Sequence, residues 1–389
     1  MNIDVHLLVH ERTQAELHEA FPQDRARLHF VADSLVNIWF LKIGKFLPGR
    51  VAAFTLGAIS HLETQIRQRS LARSLVDKYR FDVVHEPIPV SPQLPSMMFG
   101  LSVPVIIGPM NGGMEYPPNY NLASRFERTM FPILRSTARV WNRILPGKIN
   151  ASLLLVANKR TYDALPINVR RNRVAELVEN GVDVRLFQKK SNYVDAKSIQ
   201  IIFIGRLVDL KCVNLLIAAF ERLIGNKSFH LHIIGDGPLR SSLEQQAAQM
   251  SITAHVHFHG HIPQSAVAEF LRNADIFVLP SMRECGGAVI LEAMASGVPV
   301  IATKWGGPVD YIVEDSGILI PPATPDVFVN ELASAILWMA DNPQARVEMG
   351  KAGRKRAELL YDWRVKAKAI LEIYESVVYG RLSKCHILT

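Results

Sequence analysis

The chain has 389 residues, 49% hydrophobic and 21% charged, a balance that buries ordinary globular cores and a length that divides naturally into two domains. Three scattered cysteines, Cys212, Cys285 and Cys385, argue against a disulfide framework or a zinc site and for a reducing cytosol. The formal net charge of +8 is uneven, because residues 1–194 hold 25 Lys and Arg against 16 Asp and Glu while the remainder holds 19 against 20.

Val5–Val9 reads as a strand, Glu11–Ala20 as a helix and Leu28–Val31 as a second strand. A long helical stretch, Val36–Arg80, follows. Within it Trp39–Leu62 is mostly apolar but carries Lys42, Lys45, Arg50 and His61, which rules out a membrane span. It is expected to form a helix pair broken at Pro48-Gly49, buried in the fold or docked on a membrane surface. Phe81–His85 predicts a strand, and the turn-rich Glu86–Pro95 leads to another at Val103–Gly108. The loop after it, Pro109-Met110-Asn111-Gly112-Gly113, lets backbone approach a ligand. Leu122–Leu145 reads as a helix with basic residues Arg125, Arg128, Arg135, Arg139 and Arg143. Ser152–Ala157 and Val174–Val178 read as strands, the second ending at Asn180-Gly181-Val182-Asp183, and polar Gln188–Lys197 is the expected linker.

The second half alternates more cleanly. Strands are expected at Gln200–Ile204, His230–Ile234, His255–Phe258, Ile276–Pro280, Val298–Ala302 and Ile318–Ile320. Helices are expected between them at Lys211–Leu223, Leu239–Met250, Gln264–Asn273 and Ala288–Ala295. Asp326–Met339, Asn342–Leu359 and the amphipathic Trp363–Val378 follow as further helices. Repeated strand–helix–strand units give a parallel, doubly wound sheet. The expected organisation is residues 1–190 as one domain, 198–360 as a second, and 361–380 as a helix packing back on the first.

Chemistry concentrates in Ile276–Pro308, a strand–loop–helix–strand unit with Glu284 in its loop and Glu292 in its helix. Gly286, Gly287 and Ala288 open that helix, and unpaired N–H groups at a helix N-terminus suit a phosphate. Arg206 and Lys211 lie just past another strand end, where open parallel sheets bind ligands. Arg grips phosphate bidentately and Lys acts as a point charge.

Glu284 and Glu292, followed by Ala-Met-Ala-Ser-Gly-Val-Pro-Val-Ile-Ala-Thr, resemble the donor-binding signature of retaining glycosyltransferase family 4. Four further motifs fall in order: Asn180–Asp183 with Phe187, Gly205-Arg206-Leu207 with Lys211, Gly235–Pro238, and Phe258-His259-Gly260. The resemblance implies an α/β GT-B fold, two Rossmann-like domains facing a cleft. It implies transfer of a sugar from a nucleotide-diphosphate donor to a glycan or lipid-linked acceptor, with the donor as substrate, no cofactor and no metal. Arg206, Lys211 and the N–H groups of Gly286, Gly287 and Ala288 would neutralise the leaving diphosphate. Gly205, Gly235 and Gly237 would belong to the donor site, Glu284 would contact the sugar and Glu292 the ribose. The acceptor cleft would be lined by His85, Asn111, Gly112 and Gly113, although the family's histidine position here holds the Pro109–Gly113 loop.

The chain departs from the family where Cys212 replaces the Gly after the motif lysine and where Glu284-Cys285-Gly286-Gly287 replaces Glu-Gly-Phe-Gly. The first strand looks like the family's second, so one strand–helix unit, with its Gly-rich loop, is expected to be missing at the N-terminus. The basic first half is either solvated surface or attracted to the cytoplasmic face of an anionic membrane, as for a cytoplasmic, peripheral enzyme of bacterial surface polysaccharide synthesis. Nucleic acid is not an expected partner, because no basic helix carries interleaved aromatics. Gly235-Asp236-Gly237 lacks the third glycine of a dinucleotide site, Arg240 standing there. A glycoside-hydrolase acid pair, an epimerase of the same fold and a non-catalytic scaffold are the competing readings.

Overall fold

The structure, a computed structural model, describes residues 3–34, 39, 49–87, 90–120, 136–170, 173–188, 198–225 and 228–381. The expected break at Pro48, the arginines Arg125, Arg128 and Arg135, most of the linker and Cys385 lie outside them.

The strands of the first half are β1 (Leu7–His10), β2 (Leu28–Val31), β3 (Val84–Glu86), β4 (Val105–Met110), β5 (Leu153–Val156) and β6 (Val174–Glu176). They form two parallel sheets, β3-β4-β5-β6 and the separate pair β1-β2. Strand alternation divides the larger sheet into two buried faces. Val105, Ile107, Leu154, Val156 and Val174 pack with Ala72 of the Gly49–Tyr79 helix and with Met98. Ile106, Leu153, Leu155 and Ala175 face the other way, against Ile373 and Val377 of the C-terminal helix Trp363–Val378. That helix therefore lies on the first-half sheet, and the Lys366 ammonium caps the Val178 carbonyl.

The second half holds one parallel sheet of β7 (Ser198–Ile204), β8 (Ser228–Ile234), β9 (Val256–Gly260), β10 (Ile276–Leu279), β11 (Val300–Thr303) and β12 (Gly317–Ile320), in the order β12-β11-β10-β7-β8-β9. Its central strand β10 is apolar throughout and β7 ends in the apolar run Ile201–Ile204, because helices cover both faces. The Val213–Glu221 helix packs with Pro325–Asp341 and Arg240–Gln249, and Ala288–Ala295 packs with Gln264–Asn273 and Pro343–Arg356. Strand order reverses between β7 and β10, so their C-terminal ends open a crevice.

Three expectations need correction. β4 does not stop at Gly108 but runs through Pro109 to Met110, because the fully buried Met110 pairs with Val156 and its carbonyl accepts from Ala157 N at 2.8 Å. The helix begun at Asn342 ends at Arg356 and gives way to a wider π turn, Ala357–Tyr361. Lys211 does not open a helix. It closes a 3-10 turn, Asp209–Lys211, and Cys212 follows with φ 50°, so the helix starts at Val213. A left-handed residue there explains why the family pattern prefers Gly, and Cys bears a strain of about 1–2 kcal/mol. No helix among the described residues is long and apolar enough to cross a membrane.

Candidate active site

The β7–β10 crevice gathers the motif residues of the second half. The loop after β7 presents Arg206 exposed and Lys211 half-buried. The loop after β10 carries Glu284, whose carboxylate accepts from the Lys211 ammonium. Both side chains are largely shielded, at 16% and 14% exposure, so this charge pair is weakly screened. Gly287 then takes φ 82° and starts the Ala288–Ala295 helix, and no side chain caps its first turn. The free N–H groups of that turn thus open beside a cation and a carboxylate. Glu292 sits further along the helix, partly buried, where Gln264 Nε2 donates to Oε1 at 3.1 Å. Burial raises its pKa and the Gln264 bond opposes that rise.

Glycines here answer to backbone contact. A Cβ on Gly235, which has φ 131°, would stand 2.0 Å from the Gly205 carbonyl oxygen, and one on Gly237 would stand 2.4 Å from that of Leu207. These two hold the β7 and β8 loops together, and Gly205 N donates to Ile234 O at 2.9 Å. A Cβ on Gly286 would meet Asn180 Nδ2 at 2.1 Å and Glu179 Oε1 at 2.3 Å, so the loop after β10 lies directly on the chain crossing from the first half.

The first-half loop reaches the same place. Asn111 is buried, and its Nδ2 donates to Glu179 Oε1 at 2.6 Å and to the Cys285 carbonyl at 3.0 Å. Gly112 N donates to Thr161 Oγ1 at 3.1 Å, and Gly113 turns at φ 73° against Ala164. His85 does not join them with a free nitrogen. Its Nε2 donates to the Gly108 carbonyl, and its Nδ1 accepts from Tyr374 Oη at 2.7 Å. Burial lowers its pKa, so the ring is held neutral between the first sheet and the C-terminal helix.

Several residues at this junction carry no short motif. Asn158, capping the Lys159–Asp163 helix, donates Nδ2 to Asp310 Oδ2 at 2.7 Å. Arg160 reaches the same oxygen at 3.3 Å and the Cys285 carbonyl at 3.4 Å. Burial raises the Asp310 pKa, and Arg160 and Asn158 pull it back. Residues 114–120 strap across: Trp305 Nε1 donates to Glu115 O at 2.8 Å, Arg283 sits 5.1 Å over the Tyr116 ring, and Tyr120 is buried in the second core against Phe328. Only the spacing of polar residues around Asn158, two after a strand end, hinted at this latch.

Residues 184–356 match the family model described as glycosyl transferases group 1. The chain is 27% identical over 339 residues to a sulfoquinovosyl transferase of Arabidopsis thaliana, covering 81% of this chain and 61% of that protein. It is 31% identical over 237 residues to a D-inositol 3-phosphate glycosyltransferase of Saccharomonospora viridis, covering 56% and 52%. The chain thus spans about half to three-fifths of these curated relatives. Among solved structures it resembles Anabaena HepE in complex with UDP, with a TM-score of 0.64 at 16% identity over 93% of this chain and 89% of that one. It also resembles sucrose-phosphate synthase from Thermosynechococcus elongatus, with a TM-score of 0.61 at 22% identity over 82% and 79%. The chain therefore has the GT-B fold, and its residues 184–356 carry the sequence pattern of the glycosyl transferases group 1.

Proposed function

We propose that the protein is a retaining, metal-independent hexosyltransferase of the family 4 type. It moves a sugar from a nucleotide-diphosphate donor to a glycan or lipid-linked acceptor at the cytoplasmic side of a membrane, in bacterial surface polysaccharide synthesis. The observation that carries this is the Lys211–Glu284 pair beside the uncapped Ala288–Ala295 N-terminus, at the switch point of a parallel sheet. Relatives named as sugar transferases support it, as does a neighbour of the same fold solved with UDP.

In this reading Lys211 and Arg206 meet the diphosphate as its charge grows, while helix N–H groups bind its oxygens. Glu284, held by Lys211, takes sugar hydroxyls, and Glu292 accepts from the ribose. The acceptor hydroxyl attacks from the face the diphosphate leaves, and a departing phosphate oxygen takes its proton. No protein base is then required, in keeping with the engagement of both His85 nitrogens. Asn111, with Gly112 and Gly113, lines the acceptor side by gripping the Cys285 carbonyl next to Glu284. His85 becomes a positioning residue there.

The test is thermal shift of the full chain with UDP-, GDP- and ADP-sugars, followed by transfer or slow hydrolysis of whichever donor binds. A shift with one nucleotide class and turnover is expected. No shift with any of them sinks the reading, and binding without turnover makes the protein a scaffold instead.

A further inference from the structure

The chain departs from the family pattern at Gly286, where that pattern has Phe, and the structure supplies a reason. Gly286 is buried, and a Cβ there would collide with Glu179 Oε1 and Asn180 Nδ2. The Glu179 carboxylate fills the space that a side chain would need. Its Oε1 accepts from Asn111 Nδ2 at 2.6 Å and from Asn180 Nδ2 at 2.9 Å. Each amide goes on to a second partner. Asn111 Nδ2 also donates to the Cys285 carbonyl at 3.0 Å, and Asn180 Nδ2 donates to Tyr311 Oη at 2.9 Å. Tyr311 is buried in the second core, which fixes that end of the network. Glu179 thus holds one amide from the first-half loop and one from its own segment, and both close on the peptide between Cys285 and Gly286.

Gly307 closes the other side of that peptide. A Cβ on Gly307 would run into the Gly286 and Cys285 carbonyl oxygens, and Gly307 N donates to the Glu284 carbonyl at 2.7 Å. The loop after β10 is therefore clamped between Glu179, Asn180 and Tyr311 on one side and the Gly306-Gly307 turn on the other. Bonds from amide N–H groups to a carboxylate are stronger than those to a neutral oxygen, which suits Glu179 to the centre of this clamp. Its second oxygen, Oε2, is buried and accepts no hydrogen bond among the described residues, so the grip runs through Oε1. The clamped loop begins at Glu284, which pairs with Lys211, and ends at Gly287, which starts the Ala288–Ala295 helix. A shift of the Cys285–Gly286 peptide would move that carboxylate and the helix N–H groups together.

We propose that Glu179 is the positioning residue of the loop after β10, matched to Gly286, which gives up its side chain to admit the carboxylate. Glu179 reaches no reacting atom in this reading; it acts through Asn111, Asn180 and the Cys285–Gly286 peptide on the placement of Glu284. Its effect on turnover rests on the transferase reading, whereas its hold on the loop does not.

Hydrogen exchange at the Gly307 amide of the ligand-free full chain reads the loop, because that amide is protected by the Glu284 carbonyl. Turnover of the donor identified by thermal shift reads the consequence. Glu179→Ala should speed the exchange about tenfold and lower kcat about tenfold, the cost of a displaced site. Glu179→Gln keeps one accepting oxygen for both amides and should return both readouts to within about threefold of wild type, a rescue that a role for the charge or for Oε2 would not give. Gly286→Ala displaces the carboxylate and should reproduce the Glu179→Ala losses. The double variant should fall no more than about twofold below the worse single one, because both changes break the same contact. Wild-type exchange in Glu179→Ala overturns the proposal. So does a Glu179→Gln chain as damaged as Glu179→Ala, or full additivity in the double variant. A wild-type chain that binds no donor sinks the transferase reading instead, and the exchange measurements still decide the role of Glu179.

Discussion

The second half places its candidate donor residues on consecutive strand ends of one six-stranded sheet, Arg206 and Lys211 after β7 and Glu284 after β10. The first half divides its strands between a four-stranded sheet and a separate pair, and brings Asn111, Asn158 and Arg160 to the junction from different loops. The second-half crevice is thus built from short stretches whose geometry follows from the local strand–loop–helix unit. The first-half wall is built from contacts between distant segments.

The largest effect expected from breaking this comparison is on the donor side. Lys211→Ala and Glu292→Ala should each lower kcat about a hundredfold or more, the usual loss of a charge-stabilising group, with the circular dichroism of the folded chain intact. Near-normal turnover in either variant would refute the site assignment. Next in size is Asp310→Ala, which removes the carboxylate that Asn158 and Arg160 grip across the junction. Misaligned halves should cost roughly tenfold in kcat while UDP affinity measured by calorimetry stays within about twofold. An equal loss in both would move Asp310 into the donor site.

A third test separates a structural glycine from a ligand-binding one. Gly235→Ala places its Cβ against the Gly205 carbonyl at a backbone angle that Ala resists, and should cost about 2–3 kcal/mol in urea unfolding. Unchanged stability with lost UDP binding would show that the glycine serves the nucleotide.

The smallest effect is a pH dependence in the first half. Burial raises Glu86 from 4.5 to about 7, while Ser96, donating at 2.5 Å, and Lys148 pull it back. Burial lowers Lys148 from 10.5 to about 7, while Glu86 pulls it back up. The folded chain holds the Glu86 proton more tightly than the unfolded one, so this group's contribution is present below pH 4.5 and is lost as pH rises through about 7. Lys148 works in reverse: the unfolded chain binds its proton more tightly, so its contribution is lost as pH falls from 10.5 through about 7. Stability from the pair is therefore least near neutrality. Glu86→Gln should flatten the decline between pH 4.5 and 7 by roughly 1–2 kcal/mol. An unaltered slope would mean that Glu86 is ionised across that window.

The amino-acid sequence by itself determined most elements and the strand ends that meet in the β7–β10 crevice. Buried parallel strands are continuous apolar runs and helices recur at 3.6 residues, so Leu28–Val31, Gln264–Asn273, Ala288–Ala295 and Trp363–Val378 stand where the pattern puts them. Lys211 and Glu284 could be grouped beforehand because each lies just past a strand end, and their direct ion pair is a finding of the structure. Only the tertiary structure decided the rest. Met110 belongs to β4 because Val156 lies beside it, and Tyr120 belongs to the second core although it is written in the first half. Both His85 nitrogens are engaged because Tyr374, 289 residues away, and the Gly108 carbonyl meet its ring. Arg160 and Asp310, 150 residues apart, became partners only when the two sheets met. Motifs are legible when the chain's own local geometry sets the spacing of the reacting groups; contacts between remote segments depend on how whole sheets pack, and no local pattern encodes that.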